Sequence, residues 1–444
     1  MAKAFLILLL IVLLSGPAVV WWFAWRPLPS LDGTAEIRGL AGPVVVNFDA
    51  RAVPYIEANS EADAYAAQGY VVARERMFQM EMMRLSAEGR MASVFGIAAL
   101  PSDRLMHTLG FERLAEQELK ALSEPARAAL NAYCRGVNSY LSAYADRLPL
   151  EYALLGFKPA LWRPVDSLAI GKYLTYELDE SWKLDELRWR AITKVGDRLA
   201  ADLFKDDSAV SLWSPKVSPL ALVPQPLVSL GLSESLSRLP SLAPFRHTAK
   251  TRGSTAFMLA PALSQSGHAL MAADKHSSCS LPCEWFLCAL KSKGRHIAGA
   301  SLPGIPGIFF GRNDDVCWSS SLLRADVQDL FVEHFVGEHT NRYKSGKGDL
   351  EAVELREPIA VRFGNSVEHR LTTTKHGPVL LQDKESAVVL SWTGFDTSRP
   401  LIESIYRLNQ CRSQDDLRQA FSTWGAAPQL FVYGDKQGNI GAQA

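Results

Sequence analysis

The sequence predicts an α+β protein, helix-rich in its first half and strand-rich in its second. Three observations lead there. Ala64, Gly69, Val72 and Met80, among Met and Leu neighbours, recur at helical spacing. Around 206–250 the composition shifts to SPKVSPLALVPQPLVSLGLSESLSRLPSLAP, rich in Ser, Leu and Pro and without steady periodicity. Beyond it come short apolar runs set off by turn residues, a pattern that suits strands covered on both faces.

In chain order, the first element is a leader over residues 1–25. Lys3 precedes Ala4–Trp25, which carries no charge. About 20 apolar residues suffice to cross a bilayer, and the Trp21-Trp22-Phe23-Ala24-Trp25 cluster suits a membrane interface. A retained anchor is therefore expected, with an exported, periplasmic body held at the inner membrane by residues 4–25. The rival is a cleaved signal peptide, with Phe5–Leu14 as its apolar region and Ser15-Gly16-Pro17-Ala18 as cleavage zone.

Residues 26–205 open with linker and strand, Val44-Val45-Val46-Asn47-Phe48 being the clearest strand run. Helices follow, one of them opened by Ser123-Glu124-Pro125 with proline near its first turn. Residues 206–253 read as an exposed spacer. Residues 254–444 hold the strand runs Ala256–Ala260, Ala269–Ala273 and Trp285–Leu290.

The bulk composition narrows the function. Hydrophobic content of 48% and charged content of 21% fit a globular protein with a sizeable interior. Forty-seven basic and forty-seven acidic residues cancel, so nothing global points to nucleic acid. Cys134, Cys279, Cys283, Cys288, Cys317 and Cys411 are too few for a disulfide scaffold and lack zinc-ribbon spacing; they read as buried free thiols.

The spacer ends at Lys250-Thr251-Arg252-Gly253-Ser254-Thr255, immediately before the first apolar strand run. Cleavage between Gly253 and Ser254 would leave Ser254 with both a hydroxyl and a free α-amine. Such an amine titrates near pH ~8, so much of it is neutral at physiological pH and can act as base for its own hydroxyl. That chemistry needs no Ser-His-Asp triad, and no Gly-x-Ser-x-Gly elbow appears in the sequence.

A series of motifs carries a family resemblance from about residue 40 to 443. Before the spacer stand Arg51-Ala52-Val53-Pro54-Tyr55-Ile56, Ala64-Tyr65-Ala66-Ala67-Gln68-Gly69-Tyr70, Arg76-Met77-Phe78-Gln79-Met80-Glu81, Glu88-Gly89-Arg90, Phe95-Gly96, and Leu154-Leu155-Gly156-Phe157-Lys158-Pro159 with Trp162. After it stand Ala272-Ala273-Asp274-Lys275-His276, Leu302-Pro303-Gly304-Ile305-Pro306-Gly307, Gly311-Arg312-Asn313, Ala325-Asp326-Val327-Gln328-Asp329-Leu330, His376-Gly377-Pro378-Val379 and Gly438-Asn439-Ile440-Gly441. In order and number these resemble the penicillin acylases, N-terminal-nucleophile amidohydrolases.

The resemblance implies an αββα N-terminal-nucleophile sandwich made as one precursor. Self-cleavage and loss of the spacer then give a heterodimer of α and β chains. Ser254 would attack an amide carbonyl of a small N-acyl compound, form an acyl-enzyme and release an amine before water frees the acid. Acyl-homoserine lactones, β-lactam side-chain amides and other acyl-amines are the implied substrates. His276 stands 22 residues after Ser254, where the family carries a histidine near the nucleophile, and a supporting hydrogen-bond role follows. Ser321 and Leu322 follow Trp318 where the family supplies a backbone N–H to the oxyanion hole, which assigns Leu322 as that donor. Asp326 and Asp329, with the Gln328 carbonyl between them and Asp185 from the α part, match positions that hold calcium in relatives. Carboxylates and carbonyls are the oxygen ligands hard cations take.

Three departures from the family pattern stand out. Thr255 replaces the asparagine that usually follows the nucleophile, and Ala273-Asp274-Lys275-His276 replaces Asn-Asp-Pro-His. Family β chains continue well beyond the equivalent of Ala444, carrying the asparagine that completes the oxyanion hole and further calcium ligands. The β part is therefore expected to be incomplete. The rival reading of function is a catalytically inactive, membrane-tethered relative that acts as a binding protein.

Overall fold

The computed structural model describes residues 15–30, 32–179, 181–204, 253–276, 280–323, 325–337, 341–346, 348–382 and 385–444. Most of the expected spacer, 206–252, lies outside them, as do residues 1–14 of the leader and Cys279.

Eight strands form the central sheet, in the order β1-β2-β5-β6-β7-β8-β16-β17. Two precede the spacer, β1 (Val45–Phe48) and β2 (Pro54–Glu57). The others follow it: β5 (Phe286–Ser292), β6 (Arg295–Ser301), β7 (Phe310–Asn313), β8 (Val316–Leu322), β16 (Gln429–Asp435) and β17 (Ile440–Gln443). A separate antiparallel hairpin of β3 (Gly253–Leu259) and β4 (Leu270–His276) lies against β8 and β16. Further on, β9 (Gln328–His334) joins β14 (Val379–Gln382) and β15 (Ser386–Trp392) in the order β14-β15-β9. The pairs β10 (Arg342–Ser345) with β11 (Gly348–Glu351), and β12 (Val353–Ile359) with β13 (Val367–Thr373), make two outlying hairpins.

The helices that bear on the site are α1 (Glu61–Ala87), α2 (Phe111–Ala121), α3 (Glu124–Ala143), α4 (Pro164–Leu178), α5 (Ser181–Val195), α6 (Leu401–Gln410) and α7 (Gln414–Ser422). Helix α1 starts where Ser60 accepts a hydrogen bond from the Asp63 N–H, with Glu61 and Asp63 placed to favour the positive helix end. Ser123 caps α3 in the same way, accepting from the Ala126 N–H ahead of Pro125. Helix α1 is buried on nearly every side from Asp63 to Ala73, since it packs between α3 and strands β2 and β5. Its contact with α3 is backbone to backbone. A Cβ on Gly69 would lie 2.1 Å from the Tyr133 carbonyl oxygen, and one on Gly136 would lie 1.8 Å from that of Ala66.

Polar side chains then tie α1 and α3 to the sheet side. Gln68 and Gly307 exchange two bonds, Nε2 to the Gly307 carbonyl at 3.1 Å and Gly307 N–H to Oε1 at 2.9 Å. The Gly304 N–H donates to the Tyr133 hydroxyl at 3.1 Å. Deeper in α1, Arg84 binds Asp166 at 2.8 Å and also Glu81, a charge cluster wholly inside the protein. Its carboxylates neutralise a guanidinium that could not otherwise be buried.

Two expectations need correction. Trp285–Leu290 does not form a strand covered on both faces: Phe286, Cys288 and Leu290 are buried, but Leu287 between them is exposed. In β3, Phe257 is likewise exposed while its neighbours are half-covered. An apolar run without alternation fixes a strand but not how many layers sit on it. The thiols are not all buried either: Cys134, Cys288 and Cys411 are, whereas Cys283 is exposed.

The described part of the leader is helical over 15–20 and continues into Trp21–Trp25, whose tryptophan rings are exposed. Arg26 covers the Trp22 ring at 4.4 Å and donates to the Asp146 carbonyl at 2.7 Å. Among the described residues no helix is long and apolar enough to cross a membrane.

Candidate active site at the start of β3

Strand β3 alternates. Ser254, Ala256 and Met258 turn inward, while Gly253, Thr255 and Phe257 are more exposed. The inward row rests on β8 and β16, and Gly434 makes room for it: a Cβ there would come within 2.5 Å of Met258 Cε. From β8, Ser321 Oγ donates to the Ser254 carbonyl at 3.3 Å.

The edge of β8 creates the site. β7 pairs with β8 only at Cys317 and Trp318, so residues 319–322 have no β7 partner on that side. The Leu323 N–H donates to the Pro428 carbonyl, on the β16 side. Alternation therefore aims the Leu322 N–H and the Ser320 carbonyl the other way, off the unpaired edge. Leu322 N–H meets Ser254 Oγ there at 2.8 Å. The structure thus brings together the residues read as nucleophile and backbone donor, and Gly253 stands directly before them in β3.

His276 lies elsewhere. It is the register partner of Gly253, one position off Ser254, so its ring leaves the opposite face of the hairpin. There Nε2 lies 3.4 Å from both Thr255 Oγ1 and Asp274 Oδ2, with the ring about half exposed. A Cβ at Gly253 would stand 2.9 Å from His276 Nδ1. The imidazole thus flanks the Gly253 side of the junction and does not reach the Ser254 hydroxyl.

Facing Ser254 instead is Lys275, a residue sequence reasoning passed over. Its Nζ donates to the carbonyl of Ser320 and lies 3.3 Å from that residue's hydroxyl. The ammonium also sits 3.7 Å above the Phe310 ring, a cation–π contact. Burial lowers its pKa to about 8, against the opposing pull of Glu284. The sequence signal was the lysine in place of proline in the Asp-Pro-His pattern.

The acidic residues gather at a second place. One carboxylate oxygen from each of Asp185, Asp326 and Asp329 lies within 4.8 Å of the others. Asp185 comes from α5, and Asp329 from β9. Burial, then the charges of Asp326 and Asp329, raise the Asp185 pKa to about 6, and Arg188 opposes them at 3.7 Å. Burial and Asp326 likewise raise Asp329. The Gln328 side chain turns inward, its Oε1 receiving the Trp182 N–H at 3.5 Å, and the Gln328 backbone N–H donates to Ser181 Oγ at 3.1 Å. Three crowded carboxylates fit a hard divalent cation, which would remove the repulsion that raises Asp185.

Comparison with known proteins bears on these features together. The Penicillin amidase family model matches residues 43–444. Penicillin acylase 2 proenzyme of Pseudomonas sp. (strain SE83) is 32% identical over 424 residues, 93% of this chain and 54% of that protein. Acyl-homoserine lactone acylase QuiP of Pseudomonas aeruginosa is 31% identical over 357 residues, 80% of this chain and 42% of its own length. Penicillin G acylase of Escherichia coli is 22% identical over 444 aligned residues, 88% of this chain and 52% of that protein. The chain spans about half the length of these relatives. Its residues 43–444 carry the family's pattern from β1 to the last strand, and the chain belongs to the penicillin amidase family.

Proposed function

We propose that this chain is cut between Gly253 and Ser254 by its own serine, and that the freed Ser254 then hydrolyses the amide bond of small N-acyl compounds. The observation that carries the reading is the 2.8 Å bond from the Leu322 N–H to Ser254 Oγ. It puts a serine hydroxyl at the first strand after the spacer beside a backbone donor fixed in a sheet.

In the cleaved protein the α-amine of Ser254 takes the hydroxyl proton as Oγ bonds to the substrate's carbonyl carbon. The C–N bond then breaks, the amine leaves with that proton, and an ester on Ser254 remains. Water attacks the ester, returns a proton to Oγ and frees the acid. Both additions place negative charge on the carbonyl oxygen, where the Leu322 N–H is the donor at hand. The names of the relatives point to two amine classes, β-lactam nuclei and homoserine lactones. Asp185, Asp326 and Asp329 would hold calcium with help from the Gln328 carbonyl. The ion's contribution there is structural, joining α5 from before the cut to β9 after it. For the leader, the reading is export with retention at the membrane.

The test is N-terminal sequencing of the processed full-length protein together with its Ser254→Ala form. A chain beginning at Ser254 in the parent, and an uncut Ser254→Ala precursor, are expected. A new terminus at any other residue would remove Ser254 from the nucleophile role.

A further inference from the structure

The precursor poses a problem that the cleaved protein does not. Before the cut the Ser254 nitrogen belongs to an amide, whose lone pair is delocalised. The base that serves the mature site therefore does not yet exist, and the first attack on the Gly253 carbonyl needs another proton acceptor.

Lys275 is directly opposite Ser254 in the β3–β4 register, so the two side chains leave the hairpin on the same side. Cβ atoms of such pairs stand about 4.5–5.5 Å apart. The unpaired edge of β8 then holds both ends. The Leu322 N–H binds Ser254 Oγ, and the Ser320 carbonyl, two residues back on the same edge, binds Lys275 Nζ. A neutral amine carries both N–H groups, which can donate to Ser320, and a lone pair, which can accept a proton. Glu284, on the segment before β5, acts on this amine electrostatically. Phe310 of β7 and Ser320 of β8 are uncharged. Asp274 and His276, its neighbours on β4, alternate to the other face.

We propose that Lys275 is the proton acceptor for self-cleavage at Gly253–Ser254. The proposal rests on the reading of Ser254 as nucleophile. Neutral Nζ takes the hydroxyl proton as Oγ bonds to the Gly253 carbonyl carbon. The C–N bond to Ser254 breaks, and the ammonium returns the proton to the departing nitrogen, leaving an ester between Gly253 and Ser254 Oγ. Water hydrolyses that ester, freeing the Gly253 carboxylate and the Ser254 hydroxyl. Lysine ends neutral, as it began, and Ser254 gains its α-amine.

The experiment follows conversion of freshly translated full-length precursor into two chains from about pH 6 to about pH 10. Expected is a rate that rises with a midpoint near pH ~8 and then levels, as the amine loses its proton. Lys275→Arg keeps the charge and the contact with Phe310 but cannot shed a proton at these pH values; Lys275→Gln loses both charge and basicity. Both should process about 10²-fold slower or worse, without the rise near pH ~8. Thermal melts of the two precursors identify a variant that has failed to fold, and the parent's pH profile is informative without either. A flat parent profile, either variant cleaving at the parental rate, or slow variants that keep the rise would each overturn the role of Lys275. In the last two cases Ser254→Ala remaining uncut would leave the serine reading intact. Cleavage of Ser254→Ala at this bond would end both.

Discussion

Leu322 gives its backbone N–H to the Ser254 hydroxyl across 2.8 Å, at a stretch of β8 that β7 does not pair. The donor belongs to the main chain, so the side chain at 322 is free to vary and the amide hydrogen is not. Leu322→Ala should therefore change turnover of an N-acyl substrate only a few-fold, whereas Leu322→Pro, which has no N–H, should slow it by about 10²–10³. Steady-state kinetics on the full-length protein would check this. The β16 side of the strand is unaffected, because the bond to Pro428 comes from Leu323.

A second prediction concerns the carboxylate cluster. Asp185 has its pKa raised from 3.8 to about 6 in the folded chain, by burial and by Asp326 and Asp329. A group that binds protons more tightly when folded makes the metal-free protein lose stability as pH rises through that interval. A cation bound by the ionised cluster acts in the opposite sense and stabilises by mass action. Chelator should therefore lower the melting temperature clearly near pH ~7.5 and little near pH ~5. Asp326→Asn should weaken the response to added calcium. Equal chelator effects at both pH values would count against a cation here.

The crossing of α1 and α3 gives a third. Gly136→Ala must push a methyl into the Ala66 carbonyl, which a Cβ would approach to 1.8 Å. The helices have to separate, at a cost of about 3 kcal/mol, the upper end for overpacking. Gly346→Ala, which meets nothing within 4 Å, serves as the control. Urea unfolding of the two variants would show a large loss for the first and little change for the second.

The leader supplies the fourth. If Ala4–Trp25 is retained, the polypeptide preceding the cut should sediment with membranes and need detergent for release. Recovery of a soluble chain beginning near Val19 would establish a cleaved signal peptide.

How far the sequence could be read depended on whether a feature is local. Ser123-Glu124-Pro125 announced the start of α3, since a cap is decided within one turn. The strand runs at Ala256–Ala260 and Ala269–Ala273 became the two strands of one hairpin. Their register was not legible, and register decides which residues face the nucleophile. The spacing of His276 from Ser254 says nothing about face; pairing to Gly253 turns the ring away, while the neighbouring Lys275 turns in. In the sequence, Lys275 registered only as the loss of a family residue. Asp185 is far from Asp326 and Asp329 along the chain, and without the resemblance nothing local would have joined them.

Strands β1 and β2 come from before the spacer, yet β2 lies parallel to β5 in the same sheet, with Tyr55, Ile56 and Glu57 beside Ala289, Leu290 and Lys291. The reciprocal bonds of Gln68 with Gly307, and the single bond from the Gly304 N–H to the Tyr133 hydroxyl, cross the same boundary. A cut after Gly253 would therefore fall on a covalent seam that the folded interior ignores. The two polypeptides would share one interior, and neither would own enough of it to survive alone. Mixing separately produced halves should yield protein only if they meet while still unfolded. Once the cut is made inside an assembled molecule, the broken peptide bond would no longer be needed to keep the partners together. Refolding after full denaturation would then depend on the concentration of both pieces, turning what was a one-molecule reaction in the precursor into an encounter between two.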